Sequence, residues 1–247
     1  MQCVILAGGL GTRIRERSAD LPKALIPVLG KPFIDYQLEW LARQGVRSVV
    51  LSVGYLGTMI AAAVGDGTRF GLSVAYSDEG DVLRGTGGAL RYAADLGLLD
   101  KSFFVLYGDS YLPIELTPVW RTSGEGEVCT MTVLRNQSKW DRSNALIRPN
   151  GNLLYDKFVA DPATAGMDYS DYGLSILRRD IILENVVPGI RADLAHVLNQ
   201  LSLAGKLRAH EVTERFYEIG SPQGLDDFAE YVRRARHCEP NAPDASA

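Results

Sequence analysis

Gln2-Cys3-Val4-Ile5-Leu6-Ala7-Gly8-Gly9-Leu10-Gly11-Thr12-Arg13 opens the chain as a short apolar strand that runs straight into a glycine-rich, cationic loop. Glycines this dense weaken regular structure, but they let backbone N–H groups close around an anion. Thr12 adds a hydroxyl donor and Arg13 a fixed positive charge. The stretch therefore predicts a phosphate cradle at the carboxyl end of a first strand. It is not a P-loop, because G-x-x-x-x-G-K-[ST] is absent. The dinucleotide pattern G-x-G-x-x-G starts at Gly9 and Gly11 but meets Ile14 at the third glycine. The second strand also ends Leu51-Ser52-Val53-Gly54, without the acid that would hold a ribose.

Working outward, Leu21-Pro22-Lys23-Ala24-Leu25-Ile26-Pro27 is an extended segment framed by prolines, with one lysine. Alone, Lys23 reads as a surface cation. After an anion loop, it is also placed to cross back to the same phosphates. Lys31-Pro32 predicts a helix start, with Ile34, Leu38 and Leu41 on its core face beside Phe33 and Trp40. Strands are expected over 47–53 and 72–76, with a helix over 55–64 between them. Gly85-Thr86-Gly87-Gly88 is a second glycine turn that enters a helix. It is read either as a flexible helix entry or as a close backbone approach to a flat ligand such as a base. Lys101 to Asp109 is a continuous apolar strand ending in Gly108-Asp109, where open α/β sheets bind ligands. Asp109 there is a turn cap or a Mg²⁺ ligand facing the loop, and the neighbouring anion loop favours the metal.

This alternation predicts an α/β fold, a Rossmann-like doubly wound and mostly parallel mixed sheet, followed by a smaller β-rich part. In that second part, strands are expected over 127–134, 145–148, 153–158, 172–177, 207–212 and 216–220, with Asn150-Gly151 as a hairpin turn. Helices are expected near Ile181, over 193–204, and from Ser221-Pro222 to about Arg236. The organisation is read as one domain over 1–237, with halves at about 1–125 and 126–237, and a disordered tail over 238–247.

Of the 247 residues, 46% are hydrophobic, and the formal net charge is −4 with no basic run. Duplex nucleic acid is therefore not an expected partner. Cys3, Cys129 and Cys238 have no paired spacing, so neither a disulfide framework nor a zinc site is expected. The apolar runs are too short for a membrane span, the chain starts on a strand rather than a signal peptide, and a cytoplasmic setting is expected.

Leu6-Ala7-Gly8-Gly9-Leu10-Gly11-Thr12-Arg13, then Pro22-Lys23, Gly85-Thr86-Gly87-Gly88 and Gly108-Asp109, in that order, resemble the sugar-1-phosphate nucleotidyltransferases. The resemblance runs to about Phe228 and makes the second half a sugar-binding part. It implies that Leu6, Ala7, Gly8, Gly9, Gly11, Thr12 and Arg13 hold the nucleotide triphosphate. It gives Lys23 the α-phosphate, Gly85 and Thr86 the base, and Asp109 a Mg²⁺ ion. Asp156-Lys157 resembles the family's Glu-Lys pair at the sugar phosphate, with aspartate in place of glutamate, and Gly173 resembles the glycine that packs on the sugar. Glu218 stands where the family has the aspartate that is the second metal ligand, and glutamate is an equally hard oxygen donor. The implied reaction joins an NTP to a sugar 1-phosphate with release of pyrophosphate. Arg13, Lys23 and Asp109 would carry the catalysis, and guanylyl or uridylyl transfer is implied. The other reading is a regulatory protein that binds nucleotide sugars without turning them over; such a protein would be expected to lose cations or metal acids, and Arg13, Lys23, Asp109 and Glu218 are all charged as required.

Overall fold

The computed structural model describes residues 1–9, 21–135 and 142–238. Gly11, Thr12 and Arg13 of the expected cradle, and the tail after Cys238, lie outside the described residues.

Strand β1 (Gln2–Leu6) is the centre of the sheet. It lies parallel between β4 (Ser48–Val53) and β6 (Ser102–Tyr107), and β4 continues in parallel to β5 (Ser73–Asp78). Because strand side chains alternate in direction, an apolar run buried on both faces feeds two cores. Cys3, Ile5, Val49, Leu51, Phe104 and Leu106 face one layer. Val4, Val50, Phe103 and Val105 face the other. The first layer is covered by α1 (Phe33–Arg43), α2 (Gly57–Val64), α4 (Leu116–Thr122) and α7 (Pro222–Cys238). The second is covered by α3 (Gly85–Asp95), α5 (Arg179–Asn185) and α6 (Leu194–Leu203). The result is the expected α/β arrangement of helices on both faces of a mixed sheet.

Beyond β6 the sheet turns antiparallel. The ten-residue β11 (Tyr169–Arg178) pairs with β6, with β8 (Cys129–Arg135) and with β9 (Ala145–Ile147). Strand β10 (Leu153–Tyr155) completes the hairpin through Asn150-Gly151, and β12 (Leu207–Val212) runs parallel to β8. The register of β11 against β8 shifts between Asp171 and Ser175, and Gly173 sits in that irregularity with φ +97°. Two small two-stranded pairings stand apart from the main sheet, and strands of two residues are too short to show hydrophobic periodicity. The pair β2 (Pro27–Val28) and β3 (Lys31–Pro32) forms a small hairpin, so Pro32 is the residue before α1 rather than its first turn. Strand β7 (Ser110–Tyr111) pairs with β13 (Tyr217–Glu218) and joins the two halves beside Asp109.

Strand β1 sits where the order reverses, with the next parallel strand on one side and β6 on the other, so its carboxyl end opens a crevice at the switch point. The two strand ends are unusually close there. The Gly108 N–H donates to Leu6 O at 3.0 Å, and a Cβ on Gly108 would stand 2.7 Å from Leu6 O and 2.9 Å from Ala7 Cα. Both obstacles are backbone, so they cannot rotate away. Gly108→Ala is expected to cost about 2–3 kcal/mol through overpacking, a fall in Tm of roughly 5–10 °C for a chain of this size. Thermal unfolding of the variant measures it.

Candidate active site

The crevice holds two cavities that share a wall. The first, about 330 Å³, is lined by the end of β1 (Leu6, Ala7, Gly8, Gly9) and by Lys23, Glu79, Gly85 and Thr86. The second, about 570 Å³, is lined by Arg142, Asn144, Lys157, Asp171, Gly173, Asp193 and Glu218. Thr86, Tyr107 and Asp109 line both. Residues expected for a nucleotide and residues expected for a sugar phosphate thus fall in separate spaces that meet at Asp109.

At the junction Lys23, in a short 3-10 turn over Lys23–Leu25, donates from Nζ to Asp109 Oδ2 at 2.6 Å. Asp109 is fixed from behind, since its carbonyl accepts from the Ile219 N–H at 2.9 Å. The same strand pairing sets Glu218 opposite Ser110. Glu218 Oε2 accepts from the Gly220 N–H at 2.7 Å, and Oε1 accepts from Ser221 Oγ at 2.9 Å. A Cβ on Gly220 would lie 2.9 Å from Lys23 Nζ and would overlap the Glu218 carboxylate. Lys23 and Glu218 therefore converge over one glycine, and Lys23 is at the same time paired with Asp109. Among the described residues, no group of three or more His, Cys, Asp or Glu forms a ready metal cage.

The glycine turn at 85–88 answers to a protein neighbour. Gly85 has φ +71°, and its Cβ would be 2.6 Å from Ala192 O. The N–H groups of Gly87 and Gly88 donate to that same oxygen at 2.9 and 3.2 Å. The close backbone approach is to the segment before α6, while the other side of Gly85 and Thr86 lines the first cavity. Thr86 Oγ1 donates to Asp193 Oδ1 at 3.1 Å, and Lys157 Nζ donates to Asp193 Oδ2 at 2.8 Å. Asp193 also caps α6 by accepting from the Ala195 N–H at 3.0 Å. Asp156 is not among the residues lining the second cavity; its Oδ1 accepts from the Phe158 N–H at 2.9 Å within its own turn.

Several site residues escape a reading of the sequence. Tyr107 precedes the Gly-Asp element. Desolvation in the protein, with the charges of Asp171, Asp193 and Asp109, pushes its hydroxyl well above the usual range, so it stays a neutral donor. Glu79 is the first residue after β5, at the same sheet edge as Asp109, so the rule that picks out Asp109 would have picked it too. Burial raises its pKa above the ordinary carboxylate range, against the Arg84 N–H and the Arg84 charge. Its Oε2 accepts from the Arg84 N–H at 3.3 Å, whereas Oε1 is buried and has no hydrogen-bond partner among the described residues. Asn144 and Asp171 join the site only through the β9–β11 pairing, which leaves no local signal.

Residues 2–228 match the family described as Nucleotidyl transferase. The chain is 34% identical over 228 residues to D-glycero-alpha-D-manno-heptose 1-phosphate guanylyltransferase of Campylobacter jejuni, covering 92% of this chain and 98% of that one. It is 29% identical over 223 residues to N-acetylmuramate alpha-1-phosphate uridylyltransferase of Neisseria meningitidis, covering 90% and 94%. The crystal structure of HddC from Yersinia pseudotuberculosis complexed with GMP-PN superposes with a TM-score of 0.72 at 25% identity, covering 94% of this chain and 99% of that one.

Asp193 supplies a pH test of the site's construction. Burial raises its pKa, but the Lys157 ammonium, the Ala195 N–H and the Thr86 hydroxyl together outweigh that and hold it below the usual range. A lowered carboxylate pKa stabilises the fold above the unfolded value, ~3.9, and that contribution is lost as the pH falls through the folded value. Asp193→Ala is therefore expected to lower Tm at pH 7, with a deficit that shrinks as the pH falls below about 4. Thermal unfolding of both proteins from pH 7 to pH 2.5 reads it.

Proposed function

The chain belongs to the Nucleotidyl transferase family, and from that premise we propose that it is a sugar-1-phosphate guanylyltransferase, joining GTP to a sugar 1-phosphate and releasing pyrophosphate. The observation that carries the reaction class is the shared wall. Two cavities of substrate size meet at an acid, Asp109, that is paired with a lysine at 2.6 Å. A phosphate oxygen of the sugar 1-phosphate forms a bond to the α-phosphorus of the nucleotide, the bond to the β-phosphate breaks, and pyrophosphate leaves with that electron pair. The attacking phosphate is already largely ionised, since a monoester's second pKa is ~6. The site then needs no general base, only alignment and charge neutralisation. Lys23, poised beside Asp109, neutralises charge at the α-phosphate. Lys157 and Arg142 line the cavity that takes the sugar phosphate, and Arg13 is assigned to the leaving pyrophosphate.

The donor set suits magnesium. Asp109 and Glu218 offer hard oxygens, and among the described residues each Glu218 oxygen accepts one hydrogen bond, which leaves lone pairs for a cation. Mg²⁺ is commonly held by one or two carboxylates together with substrate phosphates, so a fuller protein cage is not required. When bound, the ion screens the repulsion between the two anionic substrates.

Support for guanine comes from Glu79. A buried carboxylate oxygen without a partner favours a ligand that presents N–H groups to it. Guanine presents N1–H and the 2-amino group on one edge. Uracil presents a single N3–H between two carbonyl oxygens, which a carboxylate repels. The relative with guanylyltransferase in its name and the neighbour holding GMP-PN support the same choice.

A panel of four NTPs against several sugar 1-phosphates, with and without Mg²⁺, reads these assignments through pyrophosphate release. GTP is expected to exceed UTP by at least about tenfold in kcat/KM, the worth of one hydrogen bond to a charged group. Equal rates with both would defeat the base assignment. Glu79→Gln is expected to erase most of that preference, and to raise the Tm of the free protein by about 1–3 °C because a buried charge is removed. Asp109→Ala and Lys23→Ala are each expected to reduce turnover by orders of magnitude while the protein stays folded. Near-normal pyrophosphate release from either would remove that residue from the chemistry.

A further inference from the structure

The proposed reaction brings two anionic substrates together, and one carboxylate touches the machinery of both cavities. Asp193 Oδ1 accepts from Thr86 Oγ1, and Oδ2 accepts from Lys157 Nζ, at 3.1 and 2.8 Å. The Thr86 side of this link is more than one bond. The Leu194 N–H donates to Thr86 Oγ1 at 2.9 Å, and the Ala192 N–H donates to Arg84 O at 2.9 Å. With Gly87 and Gly88 both donating to Ala192 O, the turn at 84–88 and the segment at 192–194 are zipped together. Gly85 leaves no slack between them, since even a methyl group would strike the Ala192 backbone. Packed backbone of this kind shifts as a unit rather than compressing.

The Lys157 side is different. Lysine is a point charge on a flexible stem, and its position is set by whatever holds its ammonium. Here that holder is Asp193, with both side chains partly exposed to the cavity, 48% and 37%. A ligand that presses on Gly85 and Thr86 therefore moves Asp193, and through it the charge that waits for the second substrate.

We propose that Asp193 is a positioning residue that couples the two substrate sites: nucleotide seated against the Gly85–Thr86 turn sets Asp193, and Asp193 sets the Lys157 ammonium for the incoming sugar phosphate. The proposal rests on the reading of the two cavities given above. Such coupling is reciprocal, so each substrate tightens the other by the same factor. It is also separable from the structural duty of Asp193. Asparagine caps a helix as well as aspartate does and still accepts from Thr86 and Ala195 through its side-chain oxygen. It cannot supply the charge that holds Lys157.

The test is calorimetric titration of mannose 1-phosphate, or whichever sugar 1-phosphate the wild-type protein turns over fastest, with and without a saturating non-hydrolysable GTP analogue and Mg²⁺. In the wild-type protein the analogue is expected to tighten the sugar phosphate by about fivefold or more, the lower end of ordinary coupling. In Asp193→Asn the factor is expected to fall to about one, with Tm within about 2 °C of wild type, since the cap is kept. The proposal is overturned if Asp193→Asn keeps the wild-type factor, or if the wild-type protein shows no such factor while still turning over substrate. A wild-type protein that turns over no NTP and sugar 1-phosphate pair defeats the functional reading itself, a result distinct from an active enzyme without coupling.

Discussion

The close approach of two parallel strand ends governs the rest of the architecture. Where β1 and β6 finish, Gly108 hydrogen-bonds Leu6 and has no room for a side chain. That contact fixes how far the carboxyl ends of the two strands stand apart, and hence how the backbone of residues 7–9 and the carboxylate of Asp109 face each other across the switch point. Both cavities take their common wall from it. A looser junction would leave the same side chains present but not mutually placed, and in a reaction catalysed by alignment, placement is the larger part of the chemistry.

Charge follows from the same geometry. Asp109, Asp171, Asp193 and Glu218 stand around the space proposed for two anionic substrates, among the cations Lys23, Lys157 and Arg142. An all-cationic pocket would bind phosphates tightly and evenly, without favouring the transition state over the bound substrates. Here Lys23 and Lys157 each wait on a carboxylate, Asp109 and Asp193 respectively. Each ammonium is therefore placed by a carboxylate of the protein rather than by its own flexible stem. In the proposed reaction the acids would also hold the magnesium ion. In the same proposed reaction, this mixture would let a chain of net charge −4 take up phosphorylated substrates.

The fold was legible because its central strands are buried on both faces. Continuous apolar runs such as Lys101 to Tyr107 leave few alternatives, and the carboxyl edge of such a sheet locates the ligands. Lys23, Gly85, Thr86 and Asp109 are marked locally by loop and strand-end chemistry, and the structure brings them together in the crevice. Asp193, Asn144 and Asp171 carry no such mark, because they reach the second cavity through pairings between residues far apart in the chain. Asp193 reads in sequence as a helix cap, which it is, and nothing local reveals that its second oxygen meets Lys157. The glycine run at 85–88 carried a true signal, close backbone approach, whose object was another part of the same chain.

Glu218 shows how one departure in sequence is absorbed by its surroundings. Its extra methylene, relative to aspartate, would let an unrestrained carboxylate wander past the junction. Instead each oxygen is tied back, one to the Gly220 N–H and the other to Ser221 Oγ, which in turn accepts from the Gly224 N–H at the start of α7. An anion at a helix N-terminus is favoured there by the helix dipole. The space that the folded-back side chain takes up is the space a Cβ on Gly220 would need, and a Cβ on Gly224 would meet Glu218 Oε1 at 2.7 Å. Glu218, Gly220, Ser221 and Gly224 are thus one unit. The longer acid keeps its carboxylate beside Lys23 because two small residues make room for it and a helix end holds it.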